Sequence, residues 1–342
     1  MTFTAAVAGA SGYTGGELLR LLLGHPDLEV GPVAAGTKAG RALGEVHPQL
    51  PALADRPLVA ADADALAGAD IVFLALPHGE SASLARALPS QQRVVDLGAD
   101  FRLADESKWK AFYNGSYAGH WLYGMPELPG VRAQVREAIR VANPGCYPTA
   151  VTLAMAPLLA EGLVEPRIGV VAASGTSGAG RTPSETLLAS QVMGSMSPYK
   201  VGGVHQHTPE MEQALSHATG DEVRVSFTPL LAPMPRGILA TSSAELAEGV
   251  TADDLRECLH AAYSAEPFVV LLPAGQWPQT AATVGSNAVH LQATADTHTG
   301  RAIVISAMDN LVKGAAGQAL QNANLMLGLA EGAGLTTSGV AP

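Results

Sequence analysis

The sequence predicts an α/β protein in two parts, a doubly wound parallel sheet followed by an α+β domain. Three observations carry this reading. Apolar, strand-like runs alternate with helical leucine patterns early in the chain. A turn rich in glycine, Gly9-Ala10-Ser11-Gly12-Tyr13-Thr14-Gly15, joins the first run to the first helix. After about residue 145 the strand-like runs become more loosely spaced. Strands alternating with helices imply right-handed crossovers and a parallel sheet buried on both faces.

Phe3–Ala8 reads as the first buried strand, and Leu18, Leu19, Leu22 and Leu23 repeat at helical spacing until Gly24-His25-Pro26 stops the helix. Leu28–Ala35, Ile71–Leu76 and Arg93–Leu97 follow as strands, the third closed by Pro77-His78-Gly79. In the later part Arg167–Ala173, Val223–Pro229, Ile238–Glu245 and Ala288–Thr294 read as strands. The segment Leu311–Leu329 places Ala316, Leu320, Ala323 and Leu327 on one helical face. That helix is expected to return to the first domain, which makes residues 1–145 and 311–342 one discontinuous domain and 146–310 the other. The tail after Gly332 is expected to fray.

At 342 residues the chain is long enough for two domains and for a core that needs no disulfide or structural metal. Charged residues are only 15%, against about 25% in ordinary domains, which excludes intrinsic disorder. Acidic residues exceed basic ones, 31 to 20, and no Lys/Arg run occurs, which argues against a nucleic-acid partner. The first residues lack a basic signal-peptide region, and no apolar stretch reaches the roughly 20 residues of a membrane helix. Cys146 and Cys258 are too few and too far apart for a disulfide framework. The expectation is a cytoplasmic protein with no membrane partner.

The glycines Gly9, Gly12 and Gly15 sit where a Rossmann-type, dinucleotide-binding fold needs them. Glycine lets the backbone approach a pyrophosphate, and the helix that follows offers unpaired N–H groups. The spacing departs from G-x-G-x-x-G, and a plain tight turn is the competing reading. Gly9, Ser11, Gly12, Tyr13, Thr14 and Gly15 are the expected contacts there, with Pro77 at the end of the third strand. An NAD site usually carries an acid about 20 residues past the glycines. Ala34–Arg41 has none and instead carries Thr37, Lys38 and Arg41, which suits the 2′-phosphate of NADP(H); a solvated loop is the rival, for Arg41 in particular.

Cys146 lies in Asn143-Pro144-Gly145-Cys146-Tyr147-Pro148-Thr149-Ala150, just ahead of an apolar helical run. Pro148 fits a first-turn helix position. A cysteine at a helix start favours the thiolate and suits a nucleophile, whereas Cys258 within Leu255–Leu259 reads as core. Downstream, Thr208 is expected to cap a helix whose first residue is Pro209, with His205 and His207 in the loop before it. His207 is the expected acid–base group, with His205 the alternative and Glu210 an orienter. A zinc pair formed by the two histidines lacks further ligands at plausible spacing, so no metal is expected.

The Asn143–Ala150 string resembles the active-site signature of the N-acetyl-γ-glutamyl-phosphate reductases of arginine biosynthesis. Strings resembling the same family recur at Gly9–Gly15, Asp96–Leu103, Tyr123–Leu128, Ser174–Arg181, His205–Glu210 and Asp309–Gly317. The resemblance implies an enzyme that uses NADPH to reduce N-acetyl-γ-glutamyl phosphate to the semialdehyde through a cysteine thioester. It also implies a second domain of the glyceraldehyde-3-phosphate dehydrogenase-like type, and a homo-oligomer, dimer or tetramer. Arg102, Arg181 and Arg236 become candidates for the substrate's phosphate and carboxylate, Arg102 foremost for the phosphate. Asn143 and Glu127 are candidate substrate contacts, although Glu127 reads equally as a buried structural acid. Ser174, Gly175 and Gly178 are expected in a loop closing over the nicotinamide, and Asn310 on its carboxamide. The rival readings are a reductase of another acyl phosphate, carrier-bound or aspartyl, and a non-catalytic NADP-binding regulator.

Overall fold

The computed structural model describes residues 2–113 and 115–341. The chain forms two compact units. The first comprises Met1–Pro126, Gly130–Pro144 and Ala315–Leu335; the second comprises Glu127–Pro129, Gly145–Gly314 and Thr336–Pro342.

The first unit is built on seven strands: β1 (Phe3–Ala8), β2 (Leu28–Ala35), β3 (Val59–Ala60), β4 (Ile71–Leu74), β5 (Arg93–Asp96), β6 (Leu122–Tyr123) and β7 (Arg140–Ala142). Their order is β3-β2-β1-β4-β5-β7-β6, and every pairing is parallel. Parallel neighbours need crossovers, and helices α1 (Tyr13–Leu23), α2 (Ala63–Leu66), α3 (Ser81–Ala87), α4 (Glu106–Phe112) and α5 (Val131–Glu137) lie along them. The chain runs outward from β1 to β3 and then returns to β4 on the other side of β1. That reversal falls between β1 and β4, and the carboxyl ends of strands at such a point are the usual ligand position in these sheets.

The first helix of the second unit is α6 (Cys146–Ala160), which is buried nearly all round, as its largely apolar sequence requires. Strands β8 (Arg167–Ser174), β9 (Ser197–Pro198), β10 (Arg224–Leu231), β11 (Ile238–Glu245), β12 (Val269–Leu271), β13 (Val289–Asp296) and β14 (Arg301–Met308) form one mixed sheet, ordered β12-β13-β14-β11-β8-β10-β9. Burial alternates along β8 and β11, the pattern of a sheet with one covered face. Helices α6, α8 (Thr208–Thr219) and α9 (Ala252–Tyr263) cover that face, while the short α7 (Ala189–Val192) lies in an exposed loop.

Several expectations need correction. The third predicted strand stops at Leu74, and Arg301–Met308, unmarked in the sequence reading, is a full strand paired along its length with β11 and β13. The last helix does not begin at Leu311. Val312–Ala316 forms a π-turn, and α10 (Gly317–Met326) follows it. All ten α10 residues are buried, polar ones included, so it has no single apolar face. Gln318 and Asn322 side chains donate to the Gly124 carbonyl, which satisfies them inside the first unit. The tail is docked rather than frayed. The Asn287 N–H donates to the Thr336 carbonyl and the Val340 N–H to Val284. The residues from Thr336 therefore join the second unit.

Candidate active site

In the first unit the glycine turn closes β1 onto α1. Gly9 has φ +81°, and a Cβ there would lie 2.1 Å from the Ala75 carbonyl oxygen, just beyond β4. A Cβ on Gly15 would meet the Gly9 carbonyl oxygen at 2.4 Å. Both glycines are thus required for close packing of strand, turn and helix. Gly12 is different: a Cβ there would meet only the Gly9 carbonyl oxygen, at 3.4 Å. It stands at the N-cap of α1, where first-turn N–H groups lack intrahelical partners. Two glycines required by packing and one with room to spare at a helix N-terminus fit a turn that could receive a pyrophosphate.

Ser11 and Thr14 are half-buried, while Tyr13, Thr37 and Pro77 are exposed. Lys38 is half-buried, and exposed Arg41 pairs with Glu45 at 2.9 Å. The Asp100 carboxylate accepts from the Gly79 and Ala82 N–H groups, which fixes the turn after Pro77 to the start of α3. Arg102 is buried and donates to the Leu97 carbonyl at 2.8 Å. Burial pushes the Asp96 carboxyl up to about 6, against bonds from Ser81 and the Gly98 N–H and the charge of Arg102. Asn143 is fully buried. Its amide donates to the Ala315 carbonyl and its oxygen accepts from Asn322, both at 3.1 Å.

In the second unit Cys146 is the first residue of α6, half-buried and outside any disulfide. The peptide ahead of it is held from across the fold: fully buried Glu210 accepts the Gly145 N–H at 2.7 Å. A Cβ on Gly314 would lie 2.7 Å from the Cys146 Cβ, so the π-turn backs directly onto the cysteine. The turn is anchored by Lys313, which donates to Glu127 at 2.5 Å with both side chains buried. That ion pair engages one oxygen of the Glu127 carboxylate.

The two histidines lie in one cluster with Tyr147, the residue after Cys146. The Tyr147 ring is 5.8 Å from His205 and 6.0 Å from His207, and the two imidazoles are 4.9 Å apart. His205 is only 4% exposed, walled in by Tyr147, Tyr199 and Phe227. Its Nδ1 accepts the His207 N–H at 3.0 Å. Burial lowers its pKa to about 4, and the charge of Lys200 adds to this. His207 is half-buried. It, and not Thr208, stands at the N-cap of α8, with no side-chain capping bond, because α8 begins one residue earlier than expected. Burial pushes the Tyr147 phenol far up and Tyr199 up to about 12, with the charge of Cys146 adding to both, so both phenols lie within its electrostatic reach.

The loop after β8 is tied to the end of β14. Asn310 accepts the Gly237 N–H at 2.7 Å and donates to the Ser177 hydroxyl at 2.9 Å. Asp309 pairs with Arg236 at 3.0 Å and accepts the Leu311 N–H. Arg236 is thereby held within this unit, and Arg181 is exposed. A Cβ on Gly175 would meet the Arg236 backbone N at 2.7 Å, and one on Gly178 the Ser174 hydroxyl at 2.9 Å. Sequence reasoning missed Tyr199, Phe227, Lys200 and Gly314 as parts of this surrounding. Lys200 is the one non-glycine residue with positive φ (+45°) among the described residues, a backbone state the sequence does not signal. Among the described residues no group of three or more His, Cys, Asp or Glu is placed to hold a metal ion. No helix among the described residues is long and apolar enough to cross a membrane.

Comparison with known proteins gives the class. Residues 4–138 match the semialdehyde dehydrogenase NAD-binding domain and residues 146–310 the semialdehyde dehydrogenase dimerisation domain. The fold agrees. Aspartate semialdehyde dehydrogenase II of Vibrio cholerae, complexed with ASA, superimposes with a TM-score of 0.71 at 18% identity, covering 96% of this chain and 98% of that one. The aspartate semialdehyde dehydrogenase of Candida albicans with NADP gives 0.69 at 16%, covering 96% and 99%. These define an oxidoreductase of the semialdehyde dehydrogenase class. Nearer relatives are the N-acetyl-gamma-glutamyl-phosphate reductases of Acidothermus cellulolyticus, 60% identical with 98% of each chain covered, and of Frankia casuarinae, 61% identical over the whole of both. The chain belongs to the N-acetyl-gamma-glutamyl-phosphate reductase family.

Proposed function

We propose that this chain reduces N-acetyl-γ-glutamyl phosphate with NADPH, giving N-acetyl-L-glutamate 5-semialdehyde and phosphate. The observation that carries this reading is Cys146 at the first position of α6, with buried Glu210 on the peptide before it and the two histidines around Tyr147. The sulfur attacks the acyl carbon and phosphate leaves with the electron pair of the broken C–O bond, producing a thioester. The N–H groups at the start of α6 stabilise the oxyanion. NADPH, when bound, supplies the hydride that reduces the thioester carbon. His207 then protonates the resulting oxyanion, and takes the hydroxyl proton back as the C–S bond breaks and the aldehyde departs.

His207 suits this exchange because it is partly open to solvent, whereas His205 is sealed among aromatic rings and spends Nδ1 on the His207 backbone. Arg102 and exposed Arg181 supply positive charge for the phosphate. Asn310, bonded to Ser177, shapes the Ser174–Arg181 loop that receives the nicotinamide. Preference for NADP(H) over NAD(H) rests on the acid-free Ala34–Arg41 segment with Lys38 and Arg41. Self-association through the second unit is supported by the dimerisation-domain match and by Val171 of β8, 49% exposed on the sheet face the helices leave uncovered.

Assays of N-acetyl-γ-glutamyl, aspartyl and carrier-bound acyl phosphates side by side test the reading. Highest kcat/KM is expected for the first, and Cys146→Ser is expected to lose turnover by about 10³-fold or more while still binding NADPH. Preference for another acyl phosphate, or full turnover in the variant, would overturn it. A Cys146 inert to alkylation at neutral pH would favour a non-catalytic regulator.

A further inference from the structure

His47 follows a short 3-10 turn (Leu43–Glu45) far along the chain from the glycine turn, and it is only 3% exposed. Its Nε2 lies 2.9 Å from the Ala10 carbonyl oxygen, and its Nδ1 lies 3.2 Å from the Gln49 amide nitrogen. A carbonyl only accepts, so Nε2 carries the proton, and Nδ1 is left to accept from Gln49. The pair of bonds selects one neutral tautomer. The ring also lies against the first turn of α1, since a Cβ on Gly16 would come within 2.3 Å of its Cε1. That space exists because position 16 has no side chain.

Ala10 is the second residue of the turn. Its N–H and that of Gly9 both donate to the Ala34 carbonyl at 2.9 Å, while its C=O accepts from His47. A trans peptide is planar, with C=O and the next N–H pointing in opposite directions. With the Ala10 oxygen aimed at a buried ring, the Ser11 N–H of the same peptide is turned the other way, away from His47. We propose that His47 is a positioning residue for the dinucleotide: by holding the Ala10 carbonyl it fixes the Ala10–Ser11 peptide so that the Ser11 N–H faces the pyrophosphate. This rests on the NADP(H) binding proposed above. A residue that only filled space would need the shape of the ring and not its proton.

The test is titration of the full chain with NADPH, followed by fluorescence, together with kcat at saturating NADPH and thermal midpoints. His47→Leu is expected to weaken NADPH by about 10-fold, the size of one lost hydrogen bond, with kcat at saturation held within about twofold. His47→Gln keeps an N–H donor and is expected to recover most of the affinity. Gln49→Leu, an exposed site, is expected to lose about two- to threefold. Native affinity in His47→Leu, or a His47→Gln as weak as His47→Leu, would overturn the proposal. Should His47→Leu fail to fold, the other two variants decide: near-native affinity in His47→Gln with a loss in Gln49→Leu supports it, and no loss in Gln49→Leu overturns it. A wild-type chain that binds no dinucleotide would instead remove the proposed function itself.

Discussion

Aromatic burial holds the His205 imidazole at about 4, against about 6.5 in an unfolded chain. Below pH 6.5 the unfolded state takes up a proton that the folded state refuses, so stability falls as pH drops from 6.5 to 4, by about 3 kcal/mol in all. Asp96 works in the opposite sense. Its folded value of about 6 lies above the unfolded value of 3.8, so its contribution is present below pH 3.8 and is lost as pH rises through 6. The two slopes oppose each other over one pH window. Urea unfolding from pH 4.5 to 7.5 is expected to show stability decreasing more steeply with rising pH in His205→Gln than in the wild type, and increasing more in Asp96→Asn. Slopes unchanged from wild type would refute the assignment. At this scale Cys146 was legible because its signal is local, a cysteine following Asn-Pro-Gly at the head of an apolar helix. The Glu210 bond to Gly145 spans 65 positions and the Lys313 bond to Glu127 spans 186, so neither leaves a mark in any sequence window.

Among elements, the turn between β1 and α1 is closely constrained by its glycines. Gly9→Ala places a methyl group against the Ala75 carbonyl in a left-handed backbone, a conformation costing about 1–2 kcal/mol before the collision is counted. A lowered thermal midpoint together with lost NADPH affinity is the expected result, and an unchanged midpoint would contradict the geometry. Strands β1, β2 and β11 were readable end to end because their apolar runs are bounded by turn residues. Strand β14 was not. In Arg-Ala-Ile-Val-Ile-Ser-Ala-Met, Ala302 and Val304 are buried on one face while Ile303 and Ile305 are half-buried on the other, and this erases the alternation. The π-turn escaped for another reason: Val312–Ala316 carries no local sequence mark of a widened turn, and its Lys313 is bonded to a carboxylate 186 positions away.

Over the whole molecule, the division of labour between a parallel-sheet unit and a mixed-sheet unit was visible in the spacing of strands, while the docked tail was not, because it is held by backbone bonds that carry no residue preference. Cofactor choice is a property of the chain as a whole, since the net charge of −11 repels an extra phosphate and local cations must offset it. Neutralising Lys38 and Arg41 together is expected to raise the Kd for NADPH by about 10-fold or more and to leave that for NADH within about twofold. Equal losses would defeat the 2′-phosphate reading. Arg41 alone is expected to matter less, because Glu45 already engages it.

A methyl added at Gly314 would lie 2.7 Å from the Cβ of Cys146, the proposed nucleophile, so the cysteine must shift to admit it. Gly314→Ala is expected to give a folded protein whose Cys146 acylates slowly while nucleotide affinity is kept, measurable by single-turnover phosphate release beside an NADPH titration. Release at the wild-type rate would show that the contact yields. A chain disarmed in this way retains its sulfur, which makes it a better vehicle than a cysteine knock-out for capturing the intact acyl phosphate ahead of the first bond change.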